Sequence, residues 1–314
     1  MKPHLHPACV LALAMLLLLA LPGCGKKEEE PPPARPSAPA GPTLAATIPP
    51  VRMILEPLAR GRATVFTLMP PSASPHTFEL TPRAAARVTD AKAVVYVTPE
   101  LDGWALGAEG IGAIALLDLL PEELHLEDAC MDASHGHDHD AHGTDPHFWM
   151  DPLAVKAILP ALAERLAEID PPGRETYREN ARAFAQQLDA LNAEIAEQTK
   201  LLRGRRVYVL HAAYQYYFRR YGLELGGVVQ PTPGREATPQ ELAGLIEELR
   251  SEPTRAIFEE PQVTRSAALV VAKEANARLY QLDPIGGVDR REDYTALLRY
   301  NTAQLKAGLT TPTY

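Results

Sequence analysis

One stretch restricts the fold of this 314-residue chain more than any other. From Arg174 to Leu202 there is no Gly or Pro, and Tyr177, Ala181, Phe184, Leu188, Leu191 and Ile195 recur at alternating steps of four and three. That spacing lays one apolar seam along a single helix. At about 1.5 Å per residue, a helix over Gly173–Leu202 spans roughly 45 Å. That is longer than one lobe needs, and long enough to run the height of two.

On both sides of this helix, short apolar runs alternate with helical patterns. The strand candidates before it are Leu44–Thr47, Ala63–Leu68, Ala93–Val97 and Gly112–Leu116. Helical patterns cover Pro50–Ala59, Thr81–Asp90 and Glu100–Ala108, and another runs from Asp151-Pro152 through Ala167. After the long helix, Arg206–Leu210, Leu225–Val229, Ala256–Phe258 and Arg278–Leu282 read as strands. Tyr214–Tyr221, Pro239–Arg250, Thr264–Ala275 and Arg291–Ala307 read as helices. The alternation predicts an α/β protein of two Rossmann-like lobes, each a parallel sheet flanked by helices, joined by one long rigid helix. Ligands of open parallel sheets bind beyond the carboxyl ends of the strands, so a shared site belongs in the cleft between the lobes.

The chain's start reads as an address. Val10 to Leu21 is an unbroken apolar run behind Lys2, too short to cross a bilayer of roughly 30 Å. Residues 1–23 therefore read as a signal peptide, ending in Leu21-Pro22-Gly23-Cys24, which resembles the bacterial lipobox with Cys24 as the lipidated residue. Residues 24–42 are charged and Pro-rich, without the apolar residues a core needs, and read as an extended tether. The expected organisation continues with an N-terminal lobe at 43–172, the linking helix at 173–202 and a C-terminal lobe at 203–314. With Cys9 in the signal and Cys24 lipidated, Cys130 has no partner for an intramolecular disulfide. The formal net charge of −9 and the lack of a Lys/Arg cluster argue against a nucleic-acid partner.

Four residues fall where such a cleft presents side chains. His76 lies in the turn-rich segment PPSASPHTFELTP, and His147 precedes a helix in TDPHFWMDP. His211 directly follows the strand RRVYVL, and Asp283 follows RLYQL, with Pro284 stopping the strand. A lone loop His is more often a hydrogen-bonded residue than a ligand; the joint pattern carries the argument. Three imidazoles and a carboxylate are a suitable donor set for Zn2+. Such binding needs neutral imidazoles, so affinity is expected to fall as pH drops through roughly 6.5.

Residues 121–146 give a separate signal. Four of the chain's ten histidines, His135, His137, His139 and His142, fall within eight positions, interleaved with Asp138 and Asp140. A tract of this composition reads as an accessory metal-binding loop.

The chain resembles the zinc and manganese solute-binding proteins of bacterial ABC importers, the ZnuA/TroA-like family. The likeness runs from about Ala45 to the C-terminus and is carried by ATIPP, PPSASPHTFELTP, DPHFWMDP, LHAAYQYYFRRYGL, FEEPQ and QLDPIGG. The resemblance implies two α/β lobes joined by one helix, with the metal between them on His76, His147, His211 and Asp283. The His-rich loop and a His at position 211, where manganese-type members usually carry Glu, point to the zinc type. The resemblance further implies a monomeric, non-enzymatic protein in the periplasm or on the cell surface. Such a protein is lipid-anchored and captures Zn2+ for a membrane permease. The alternatives are a manganese or iron carrier of the same type and a metal-dependent adhesin or structural lipoprotein. A zinc hydrolase is disfavoured, because catalytic zinc keeps an open coordination position and no His-Glu-x-x-His, Gly-x-Ser-x-Gly or Walker-type loop occurs.

Overall fold

The computed structural model describes residues 41–107, 110–128, 143–231 and 237–310. The signal peptide, nearly all of the tether, Cys24, Cys130 and His135, His137, His139 and His142 lie outside them. Among the described residues, no helix is long and apolar enough to cross a membrane.

Among the described residues two four-stranded sheets form, and both are parallel throughout. The first joins β1 (Thr43–Ala46), β2 (Thr64–Thr67), β3 (Ala93–Tyr96) and β4 (Gly112–Ala115) in the order β2-β1-β3-β4. The second joins β5 (Arg206–Val209), β6 (Glu224–Val228), β7 (Ala256–Glu259) and β8 (Arg278–Gln281) in the order β6-β5-β7-β8. The two halves thus repeat one topology. The central strands are apolar on both faces: Leu44, Ala45 and Ala46 are buried in β1, and Val207, Tyr208 and Val209 in β5. Such strands need helices on both sides, and the sequence supplies them. They are α1 (Pro49–Ala59), α2 (Pro82–Val88), α3 (Pro99–Asp102) and α4 (Pro152–Ile169) before the long helix. After it come α6 (Gln215–Tyr221), α7 (Pro239–Ser251), α8 (Ser266–Ala275) and α9 (Tyr294–Thr310).

The long helix α5 runs over Arg174–Thr199, with a 3-10 turn at each end. Tyr177, Ala181, Phe184, Leu188, Leu191 and Ile195 are all buried, so the predicted seam is the packed one. It lies against α4 and α1 from the first half and against α9 and α6 from the second. Its start is fixed by an ion pair: Arg62 donates from Nε and Nη2 to Asp170 at 2.5 Å each, and the Tyr177 hydroxyl donates to Asp170 at 2.8 Å. The Arg62 hydrogen bonds hold the Asp170 carboxyl below its usual range.

Two helices differ from their sequence patterns. The pattern at 100–108 is a true helix only to Asp102. There the carboxylate folds back to accept hydrogen bonds from Val97 N (3.0 Å), Thr98 N (3.1 Å) and Thr47 Oγ1 (2.5 Å), which ends the helix against the strand tips. Helix α9 begins at Tyr294 rather than Arg291. Asp293 Oδ1 accepts from Ala296 N at 2.8 Å and from Thr295 Oγ1 at 2.7 Å, capping the helix there.

Candidate metal centre

Each half sends its strand-end loops toward the other. The loop after β2 carries His76, and the segment before α4 carries His147. The latter leads into a 3-10 turn whose Phe148, Trp149 and Met150 are buried. Trp149 Nε1 donates to Pro284 O at 2.8 Å, and the Tyr294 hydroxyl donates to Trp149 O at 2.6 Å, so both groups tie this segment to the second half. Asp151 caps α4 by accepting from Leu153 N, and the same carboxylate takes Arg220 on both oxygens. Across from these, His211 leaves the end of β5 and Asp283 the end of β8.

The structure brings His76, His147 and His211 together. One ring nitrogen from each lies within 4.8 Å of the others. Ring centroids stand 4.9 to 5.5 Å apart. His147 and His211 are 2% and 6% exposed, so little water reaches the cluster. It opens on a small cavity of about 10 Å³, also lined by Ser74, Glu260, Gln262, Pro284 and Ile285. That is roughly the room of one water-sized sphere, enough for an ion and not for an organic substrate.

The buried polar atoms fit a cation. The Nε2 atoms of His76 and His211 and one carboxylate oxygen each of Glu260 and Asp283 are buried without a hydrogen-bond partner. Orphaned donors and acceptors are costly in a protein interior, and a divalent ion satisfies nitrogens and oxygens alike. Two imidazoles are oriented through their other nitrogen. His147 Nδ1 lies 2.7 Å from Asp145 Oδ1, which also accepts from His147 N, and His211 Nδ1 lies 3.4 Å from Glu260 Oε2. A carboxylate behind the imidazole fixes the tautomer and turns Nε2 inward.

Asp283 is not within the 4.8 Å group. Its Oδ1 is taken by three donors: Gln262 Nε2 at 2.8 Å and the backbone N–H groups of Ile285 and Gly286 at 2.9 Å. Asn301 brackets its backbone, accepting from Asp283 N and donating to Asp283 O. Oδ2 is the oxygen left over. Gln262 also donates to Pro71 O at 3.2 Å, so one side chain links Asp283 to the other half.

The electrostatics revise the expected pH response. Burial, then the neighbouring imidazoles, lowers His76 to about 2, and burial holds His147 well below its ordinary value. Neither takes a proton near pH 6.5. His211 differs: burial alone would lower it, but Glu260, by charge and hydrogen bond, with help from Asp145 and Asp128, outweighs burial and leaves it raised. Asp145 is pushed up to about 7 by burial. Proton competition therefore centres on His211 and Asp145 rather than on three equivalent imidazoles.

Asp145, Gln262 and Arg291 escape a reading of the sequence alone. Asp145, two residues before His147 in DPH, is the most findable, since a carboxylate beside a ligand His is a common orienting partner.

The family model for the zinc-uptake complex component A, periplasmic, matches residues 44–308. The high-affinity zinc uptake system protein ZnuA of Brucella abortus (strain 2308) is 31% identical over 164 residues, which cover 52% of this chain and 49% of that protein. The matched region thus spans about half the length of that curated relative. The protein of the same name from Yersinia pestis is 27% identical over 269 residues, 79% of this chain and 84% of that one. A solved structure described as the crystal structure of ZnuA superposes with a TM-score of 0.73 at 25% identity, covering 86% of this chain and 100% of the other.

Proposed function

Because this chain belongs to the family of periplasmic zinc-uptake components, we propose that it captures Zn2+ outside the cytoplasmic membrane and delivers it to the permease of an ABC importer. The observation that carries this reading is the convergence of His76, His147 and His211, drawn from both halves of the fold, around a cavity the size of one ion. Asp283 is the fourth ligand, offering Oδ2 to the cation. The all-imidazole cluster with one hard oxygen suits Zn2+ better than Mn2+. The cavity is too small to admit a substrate for hydrolysis, so the protein acts by binding and release rather than by catalysis.

The rest of the chain serves delivery. Cys24 carries the lipid, the Pro-rich segment spaces the folded body from the membrane, and the protein works as a monomer. The segment with His135, His137, His139 and His142 gathers zinc at lower affinity than the built site.

Metal analysis of protein purified without added metal tests this, with wild type, His211→Ala and a deletion of residues 132–143 compared. One tightly held zinc is expected in wild type and in the deletion, and none in His211→Ala. Loss of tight zinc by the deletion alone would move the main site to the loop. Failure of a deletion strain to grow in chelated medium, restored by zinc and not by manganese, is the expected cellular result.

A further inference from the structure

The only carboxylate among the four proposed ligands has a guanidinium built against it. Arg291 Nη1 stands 3.2 Å from Asp283 Oδ2, in an ion pair whose partners are 14% and 0% exposed. Oδ2 nonetheless has no hydrogen bond, so Arg291 supplies charge there without occupying the oxygen. The guanidinium is held independently of Asp283. It lies 4.4 Å from the centre of the Tyr300 ring, and Nη1 donates to Gln281 Oε1 at 3.3 Å. Its backbone closes a tight loop, with Gly287 N donating to Arg291 O at 2.7 Å and Arg291 N to Val288 O at 2.9 Å. Gly286 and Gly287 take φ of +63° and +76°, and a Cβ on Gly287 would stand 3.1 Å from Pro49 and Pro71. The loop that carries Arg291 thus abuts the other half.

A fully buried carboxylate without a compensating cation is costly. When zinc is bound, the ion would compensate Oδ2; in the empty site Arg291 does, the one cation paired with it among the described residues. Nor is Arg291 needed to place the carboxylate, because the three donors on Oδ1 and the Asn301 bracket already do so. Its effect therefore falls on the energy difference between the empty and filled states. A cation that stabilises the empty site, and repels a second cation beside the same oxygen, lowers affinity by that differential.

We infer that Arg291 is the standing counter-ion of Asp283, compensating Oδ2 when no zinc is bound, so that it weakens zinc binding and speeds release from a buried site. This rests on the zinc-site reading above. It makes Arg291 a positioning residue for release rather than a ligand.

The test compares wild type, Arg291→Gln, Arg291→Met and Arg291→Lys, using zinc affinity by competition with a chromophoric chelator and release rate under excess chelator. Met keeps an apolar stem over Tyr300 if Gln fails to fold. Gln and Met are expected to bind zinc roughly tenfold or more tighter and to release it more slowly by a similar factor, the size of one partly screened charge contact. Lys, which keeps the charge, is expected to stay near wild type. The zinc-free Gln and Met proteins should melt lower than wild type, and the zinc-loaded ones should not. Unchanged or weaker binding by both uncharged variants overturns the inference, as does a Lys variant that behaves like them. Absence of zinc binding by wild type, or wild-type binding by His211→Ala, instead sinks the site reading and this inference with it.

Discussion

Asp283 carries two loads on two oxygens, and substitutions can separate them. Oδ1 holds the turn through Gln262 Nε2, Ile285 N and Gly286 N, whereas Oδ2 accepts no hydrogen bond and faces Arg291 Nη1 at 3.2 Å. Asp283→Ala orphans two buried backbone N–H groups and strips Gln262 of one of its two acceptors. At about 1–3 kcal/mol for each buried donor left unpaired, the expected loss is roughly 2–6 kcal/mol. In a body of this size that lowers the melting temperature by roughly 4–12 °C. Asp283→Asn keeps a carbonyl for the three donors and puts an NH2 where Oδ2 was. The zinc-free protein keeps the turn but loses the ion pair with Arg291, so it should melt below wild type and above Asp283→Ala, while zinc affinity falls by at least about 100-fold, more than loss of an outer partner typically costs. Scanning fluorimetry with and without zinc, paired with chelator competition, reads both quantities. Wild-type affinity in Asp283→Asn would show that Asp283 only locks the turn and that the cation rests on the three imidazoles. A stable Asp283→Ala would refute the hydrogen-bond reasoning instead.

Zinc binding at pH 5.5 should displace fewer than three protons, because His76 and His147 are already neutral and only His211, which is raised, and Asp145, at about 7, have protons to give. Affinity still falls as pH falls, since those protons must leave. Titration calorimetry in buffers of different ionisation enthalpy counts them, and a value approaching three would mean that the imidazoles are solvated. Asp170→Asn should lower the melting temperature at pH 7. Because Arg62 depresses the native Asp170 value, its stabilisation is present above the ordinary carboxylate range and lost as pH falls through the native value. The gap between mutant and wild type should therefore shrink below about pH 4, and an undiminished gap at pH 3 would refute the ion-pair account. Trp149→Phe loses the hydrogen bond to Pro284 O and should cost about 1–3 kcal/mol by urea melts. It should also weaken zinc binding, since His147 packs beside that ring; unaltered affinity would separate the inter-half tie from the site.

What could be read from the sequence was whatever a local pattern encodes. The α5 seam, the apolar cores of β1 and β5 and the alternation around them follow from residue spacing, and they recur in the structure to within a few residues. In a parallel sheet that alternation also implies where strand-end residues go. For that reason three histidines distant in sequence point to one cleft on their positions alone. What could not be read was which buried polar group answers which. Arg291 looks like the start of a helix, and Asp102 like the interior of one, until tertiary partners claim them. The Asp293 cap starts α9 three residues late, and the Gly287–Arg291 turn holds the released arginine over Tyr300. The local rule thus fails at the residue that faces Asp283. A buried carboxylate with one oxygen left without a hydrogen bond is a poor choice for stability; beside a fixed cation it becomes a site that can exist both filled and empty, and the proposed capture and release of zinc needs both states.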